Sequence, residues 1–407
     1  MDFEAKEYSP KPFEFSGKSG EFFGIWIVNI ALTILTLGIY SAWAKVRTNQ
    51  YFYGNTALDG SAFQYLATPM QILKGRIIAS VFFGVYYVLT TMFPLWGLGF
   101  TAFLVLVIPA IIVLSLSFRM RNTAYRNVSF RFDRNFKQAY LVYAGPAVVF
   151  TILFALSFAM AISEDAEIFN GIEITQQSES SENLGNSESS QSTEISLNSE
   201  ELEPPIAIFA VLILMFTALP FWEYLKTHFL VTNTRFGTSP FNFEAKASNF
   251  YKLYLLAFLI FACVLFLFGF AVKEFTSFSP DNPELTTGFS SLIPVISGVF
   301  FYFWAFAYIQ TKRANLIYNH ASIQNMQMDS QLTVTYMFFL YITNTLAILV
   351  SLGLLIPWSM IRTARYRAST LTILSDTNLE TFVADQQQEL SALGEELGEV
   401  FDIEIGI

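Results

Sequence analysis

Residues 72–93, ILKGRIIASVFFGVYYVLTTMF, are apolar almost throughout, and comparable segments recur at 22–44, 99–118, 140–162, 205–221, 251–272, 292–309 and 336–358. A hydrocarbon core roughly 30 Å thick is crossed by about 20 helical residues, each rising ~1.5 Å. The chain therefore reads as a multispanning helical membrane protein. Its composition agrees, because 53% hydrophobic and 17% aromatic residues against 14% charged leave too little polar surface for a water-soluble body of 407 residues. The first 20 residues, MDFEAKEYSPKPFEFSGKSG, lack the basic start, short apolar core and small-residue cleavage site of a signal peptide. Insertion is thus expected to use the apolar segments themselves. Cys263, the only cysteine, lies within an apolar run, which leaves no disulfide or thiolate metal site within one chain.

The net charge of −10 is distributed unevenly. Residues 163–203 carry eleven acidic residues and the tail 375–407 nine more, with no Lys or Arg in either, so the remainder holds 13 acidic against all 23 basic residues. Two acidic appendages hang from a basic membrane body. The first is rich in Ser, Glu, Asn and Gln and too poor in apolar residues to offset the entropy of ordering it; it reads as a disordered periplasmic loop. The tail differs, since Leu390, Leu393, Leu397 and Val400 recur at helical spacing and predict a short amphipathic acidic helix that could dock on the basic body, on a partner, or on nothing.

Between apolar segments the chain repeats a unit: a basic helix end, then a short polar stretch with alternating aromatics. Copies read WAKVRTNQYFYGNTALDGSAFQYLATP (43–69), FRMRNTAYRNVSFRFDRNF (118–136), WEYLKTHFLVTNTRFGTSPFNFEAKASNF (222–250), YIQTKRANLIYNHASIQNMQMDS (308–330) and WSMIRTARYRASTLTIL (358–374). Phe130-Arg131-Phe132, Phe241-Asn242-Phe243 and Met326-Gln327-Met328 have the period of a strand, and Asp59-Gly60 or Gly237 supplies a turn. Each connection reads as a small β-hairpin at the membrane surface. The two ends of the chain also match at an offset of 315 residues, pairing Asn29 with Asn344, Gly38 with Gly353, Trp43 with Trp358, Arg47 with Arg362 and Tyr51 with Tyr366. Segments 22–44 and 336–358 are copies of one element.

Basic residues mark the cytoplasmic side. If both matched segments were tilted spanning helices, the charge balance would fit only fairly. If each enters and leaves on the cytoplasmic side as a re-entrant hairpin bent near Gly38 or Gly353, both termini are inside and 22 of the 23 basic residues are cytoplasmic. Re-entry is the favoured reading, and it brings the strand around Phe13–Phe15 against the strand around 370–374 as a fifth hairpin, closing the bundle into a ring of similar units. The expected organisation is a cytoplasmic N-terminal segment (1–21), a first membrane half (22–162), the acidic loop (163–203), a second membrane half (204–374) and the acidic tail (375–407). In fold class this is an all-α polytopic membrane protein of six to eight membrane helices, built from repeated units, with small cytoplasmic β-hairpins.

The run EFFGIWIVNIALTILTLGIYSAWAKVRTNQYFYGNTALDGSAFQY, then ILKGR at 72–76 and the ending FDIEIGI, resemble the YjgN family of bacterial inner-membrane proteins, whose function is unknown. The likeness runs over nearly the full chain. The chain departs from the family at Ala42, where a proline usually precedes the tryptophan, whereas the later copy keeps Pro357 before Trp358; the acidic insert is also longer than the family needs. The resemblance implies a multi-pass protein of the bacterial cytoplasmic membrane and supplies neither substrate nor catalytic residues.

Chemistry is sparse. Two histidines, His228 and His320, fall near helix ends, and no G-x-x-x-x-G-K-[ST] motif exists to cradle phosphates. Catalytic residues, cofactors, metal sites and nucleic acid partners are not expected, and neither is enzymatic activity. Glu223 reads as an i,i+3 partner of Lys226. Candidate pathway or helix-contact residues are Asn29, Gly38, Asn344 and Gly353. Candidate interfacial residues are Trp43, Arg47, Tyr51, Arg76, Trp358, Arg362 and Tyr366. Expected partners are membrane lipids, with anionic headgroups at the basic cytoplasmic face. Two functions fit: a permease-like protein of unknown substrate, or a non-catalytic envelope scaffold that organises lipid or protein.

Overall fold

Short runs of alternating apolar residues, each closed by a two-residue turn, fold into β-hairpins. In the computed structural model, which describes residues 9–146, 148–149, 151–153, 155, 206–278, 283–376 and 378–405, four such hairpins form. They are β2 (Thr56–Leu58) with β3 (Ser61–Tyr65), β4 (Thr123–Tyr125) with β5 (Val128–Phe132), β6 (Thr234–Phe236) with β7 (Ser239–Phe243), and β8 (Ala321–Ile323) with β9 (Met326–Ser330). Asp59 and Gly60 both take positive φ, 49° and 73°, as do Arg126 and Asn127 at 46° and 65°, the condition for type I′ turns that match strand twist. The fifth pair joins the ends of the chain. β1 (Ser9–Phe15) lies antiparallel to β10 (Leu371–Ser375), with Lys11 opposite Ile373, while its second half pairs with β2, Phe15 opposite Thr56.

Neighbouring hairpins pair in turn, so the ten strands close into one antiparallel barrel. Closure leaves no free strand edge. The inner wall is apolar, with Phe13, Leu58, Phe63, Tyr125, Phe130, Phe236, Phe241, Ile323, Met326 and Ile373 in one cluster. Exposed Glu14, Arg131 and Gln327 occupy alternate positions on the other face. Strands of three to seven residues are shorter than the about 9–11 with which a β-strand crosses a bilayer.

All helical excursions leave the barrel at one rim and return at the adjacent strand. The first is α1 (Ser19–Leu35) and α2 (Ser41–Gly54), packed together and leaving after Phe15 to return at its partner Thr56. The second is α3 (Pro69–Met92) and α4 (Pro94–Arg121), running from Tyr65 to its partner Thr123. α3 begins on a capping box of Thr68 and Gln71 with Pro69 in its first turn. The third holds α5 (Phe136–Ala139), the π turn Tyr140–Ala144 and α6 (Ile206–Thr232). The fourth is α7 (Ala247–Phe278) with α8 (Pro283–Asn319), and the fifth α9 (Val334–Val350) with α10 (Ile356–Ser369). α11 (Leu379–Ile405) follows β10. The chain forms two compact units, residues 1–144 with 220–407 and residues 145–219; all ten strands belong to the first. Described residues of the second are helical at 145–146, 148–149, 151–153, 155 and 206–219.

This architecture corrects the expectation of an all-α protein with six to eight membrane helices. The hairpins are the staves of a closed ten-strand barrel, and among the described residues three helices are long and apolar enough to cross a membrane: Pro69–Met92, Leu95–Arg121 and Ala247–Val264. The reason is local. Segment 22–44 is not one helix, because Leu37 and Gly38 at φ 49° and 92° end α1, and the amide of Gly38 donates to Thr33 O at 2.8 Å. Segment 336–358 breaks identically at Leu352 and Gly353, φ 49° and 91°, with Gly353 N donating to Ile348 O at 2.8 Å. The acidic loop 163–203 lies outside the described residues. So do the side chains of Leu393, Leu397 and Val400.

Candidate functional site

Aromatic rings line the barrel in contact around its wall. Ring centroids are 6.0 Å apart for Phe13 and Phe63, 4.9 Å for Phe63 and Tyr125, 5.0 Å for Phe130 and Phe236 and 6.4 Å for Phe130 and Phe241. The Tyr125 hydroxyl donates to Leu58 O at 2.7 Å, and burial raises its pKa. These side chains line an open cavity of 590 Å³ that extends to the helix ends at Phe52, Tyr53, Arg119, Met120 and Tyr318. Two smaller cavities of 340 Å³ and 390 Å³ share walls with it; Tyr318 belongs to all three.

At the opposite rim, where the turns lie, α11 closes the barrel. Its first turns insert Leu379, Phe382 and Val383 into the apolar cluster, with the Phe382 ring 5.8 Å from that of Phe236. Gln386, only 1% exposed, fixes the register: its Oε1 accepts from Thr238 N at 2.8 Å, Thr238 Oγ1 at 2.9 Å and Ser239 N at 3.2 Å. Gln387 donates to Arg126 O at 2.7 Å. Gly237 is required beneath this contact, since it has φ +61° and a Cβ there would meet Gln386 Oε1 at 2.5 Å.

The turn rim carries a charged clasp. Asp59 accepts from Lys11 Nζ at 2.8 Å and from Arg126 at 3.3 Å, and Arg126 Nε donates to Ser61 Oγ at 2.8 Å. The Lys11 hydrogen bond, aided by both cations, holds the Asp59 carboxyl below the usual aspartate range. A depressed carboxylate pKa stabilises the fold above the unfolded value of about 4 and loses that stabilisation as pH falls through the folded value. Thermal unfolding followed from pH 6 to pH 2 is therefore expected to show an acid-labile limb that Asp59→Asn flattens.

Beside the cavities lies a second polar cluster. Glu223, with 13% of its side chain exposed, binds Lys226 through Oε1 and Arg313 NH2 through Oε2 at 3.1 Å. Lys226 sits 4.7 Å over the Trp222 ring, whose Nε1 donates to Val142 O at 2.9 Å. Removing one member of a buried ion network leaves its partners uncompensated, by 3–5 kcal/mol when fully buried and less here, where both cations keep partial solvent access. Glu223→Gln is expected to cost about 1–3 kcal/mol, read as a lower unfolding midpoint in detergent.

The candidate residues fall mainly on the helix pairs. Tyr51 and Tyr366 do the same work: the Tyr51 hydroxyl accepts from Lys18 N at 2.8 Å and Tyr366 from Thr333 N at 3.0 Å, each capping the first helix of its pair from the second. Asn344 donates to Thr363 Oγ1 at 3.1 Å and accepts from Arg362 at 3.2 Å. Its counterpart Asn29 is 4% exposed, and its side-chain amide has no hydrogen-bond partner among the described residues. Arg47 donates to the Tyr40 hydroxyl at 3.2 Å, Trp43 stacks on the Tyr40 ring, Arg362 lies over Trp358 and Arg76 reaches Ser41 Oγ. Gly38 and Gly353 form the helix-pair turns. None of these residues lines the three cavities. The lumen, the α11 plug and Arg313 as a partner of Glu223 went unrecognised in the sequence. Only the same-face aromatics of each hairpin pointed to the lumen.

A short closed barrel with an apolar lumen, fringed at one rim by paired apolar helices, defines a membrane-associated barrel-and-helix protein. The chain belongs to a family described as bacterial protein of unknown function (DUF898), matched over residues 10–400. Relatives named inner membrane protein YjgN include one from Escherichia coli K12, 24% identical over 396 residues and 92% of each chain. Another, from Salmonella typhimurium, is 33% identical over 153 residues, 36% of this chain and 38% of that protein. No solved structure matches.

Proposed function

We propose that the chain is a multi-pass inner-membrane protein of permease type, with the barrel as its cytoplasmic vestibule. The observation that carries this reading is that the lumen adjoins two side cavities at the helix ends, sharing wall residues such as Tyr318 with both, opposite a rim closed by α11. The basic residues concentrate at the helix ends that meet the barrel, which supports a cytoplasmic barrel. Internal duplication accounts for five helix excursions alternating with five strand pairs. In this reading α1–α2 and α9–α10 are re-entrant hairpins. Each leaves and rejoins the barrel at paired strands, a 17-residue helix rises only about 25 Å, and the tip residues Leu37 and Leu352 are 94% exposed.

Flux in proteoliposomes tests the reading. Uptake from a panel of amphipathic and polar solutes should exceed that of protein-free vesicles and disappear when Met328, on the lumen wall, is replaced by Trp in a variant that still folds. No flux above protein-free vesicles from the folded wild-type chain would contradict it. The scaffold reading remains the second, favoured by the separation of Asn29 and Asn344 from the cavities.

A further inference from the structure

Close packing leaves few voids larger than a water molecule, and apolar cavities do not hold water stably. A lumen of 590 Å³ walled by Phe, Met, Leu and Ile falls within the range of ligand pockets, about 300–1,000 Å³. Polar residues on its wall at the helix-end rim are Tyr53, Thr56, Arg119, Thr123, Thr234 and Tyr318, while the hydroxyl of Tyr125 is taken up by Leu58 O. Arg119 is exposed; its carbonyl accepts from Thr123 Oγ1 at 3.0 Å, while its guanidinium, among the described residues, makes no hydrogen bond or ion pair. It stands four positions before the first residue of β4; Arg367, on the wall of the 340 Å³ cavity, stands at the same offset from β10. Arg313 lines the third cavity. Each of the three adjoining spaces thus has an arginine at its wall and apolar side chains around it.

We infer that the lumen binds an anionic amphiphile with a single acyl chain, the chain in the barrel and the head on Arg119. This deepens the vestibule reading by naming its ligand class, and rests on the lumen being the site. A guanidinium donates to a carboxylate or a phosphate equally well in geometry, and a neutral head offers it no charge-assisted bond. Apolar burial along the wall supplies affinity, and the arginine supplies discrimination. α11 then bounds the length of the chain, because Phe382 and Val383 form the floor.

Displacement of cis-parinarate from the full-length protein in detergent tests this. Palmitate and palmitoyl lysophosphatidate are the two anionic arms, and methyl palmitate is the neutral one. Saturable binding is expected, with one or both anions at least about tenfold tighter than the ester. Palmitate alone competing identifies a carboxylate ligand, lysophosphatidate alone a phosphate; either supports the inference. Arg119→Gln should remove the tenfold preference and leave the ester's affinity unchanged, a split that misfolding would not produce. Equal affinity for ester and anions, an unaltered preference in Arg119→Gln, or no saturable binding would overturn it. Binding without flux would remove the permease reading alone, and flux without binding this inference alone.

Discussion

Ending the chain before Leu379, so that α11 is lost, is expected to lower the stability of the barrel by on the order of 5 kcal/mol and to open the lumen at the turn rim. Leu379, Phe382 and Val383 are all nearly fully buried, and each apolar side chain of that size contributes roughly 1.5–3 kcal/mol when removed from water. The entropy of ordering the helix offsets part of this. Gly237→Ala should reproduce the opening at smaller cost, about 1–3 kcal/mol, because its Cβ and positive φ act on the Gln386 contact alone. Unfolding midpoints in detergent, with a polarity-sensitive dye reporting access to the lumen, check both. An unchanged midpoint and no dye response in the truncated chain would show that α11 does not close the barrel.

The second large effect is expected at Phe229. Its side chain is fully buried near the end of α6, edge-on to Phe132 of β5 at 5.6 Å and to Tyr143 at 6.0 Å. It therefore couples a helix end to the barrel wall. Phe229→Ala removes a ring from a site fixed by closed strands on one side and helix on the other, where relaxation is limited. The expected loss is about 3–5 kcal/mol, measured as a fall in unfolding midpoint, while Phe229→Leu should retain much of the stability. A loss below about 1 kcal/mol in the alanine variant would mean that the helix ends and the barrel are not one packed body here.

Much of this architecture was legible residue by residue. Apolar length marked α3, α4 and α7; Asp59-Gly60 and Gly237 marked turns; Phe-x-Phe and Met-x-Met alternation marked strands. The matched ends, Tyr51 with Tyr366 and Gly38 with Gly353, exposed two helix pairs of one design. What stayed hidden depends on contacts far apart in the chain. Pairing of the chain's two ends is expected from the sequence and β1 does pair with β10, but a strand of three residues carries too little pattern to show that neighbouring hairpins also bond edge to edge, as Phe132 does opposite Thr234 and Phe243 opposite Ala321. The bend expected near Gly38 is present, but no hydropathy pattern shows that Leu37 shares it, at positive φ and without a glycine's freedom. Arg313 reaches Glu223 across 90 positions, and no local spacing announces that.

Everything proposed about the lumen depends on the two ends of the chain completing the barrel. In a Cys263→Ser background, cysteines at Lys11 and Ile373, which face each other across β1 and β10, should form an intramolecular disulfide on mild oxidation of the purified protein. The product would be a closed loop of altered gel mobility, restored by reductant. Cysteine pairs shifted by one residue should react much less, because adjacent side chains point to opposite faces. No cross-link at Lys11 and Ile373 or at neighbouring registers, in protein that is folded, would contradict closure and with it the enclosed apolar chamber.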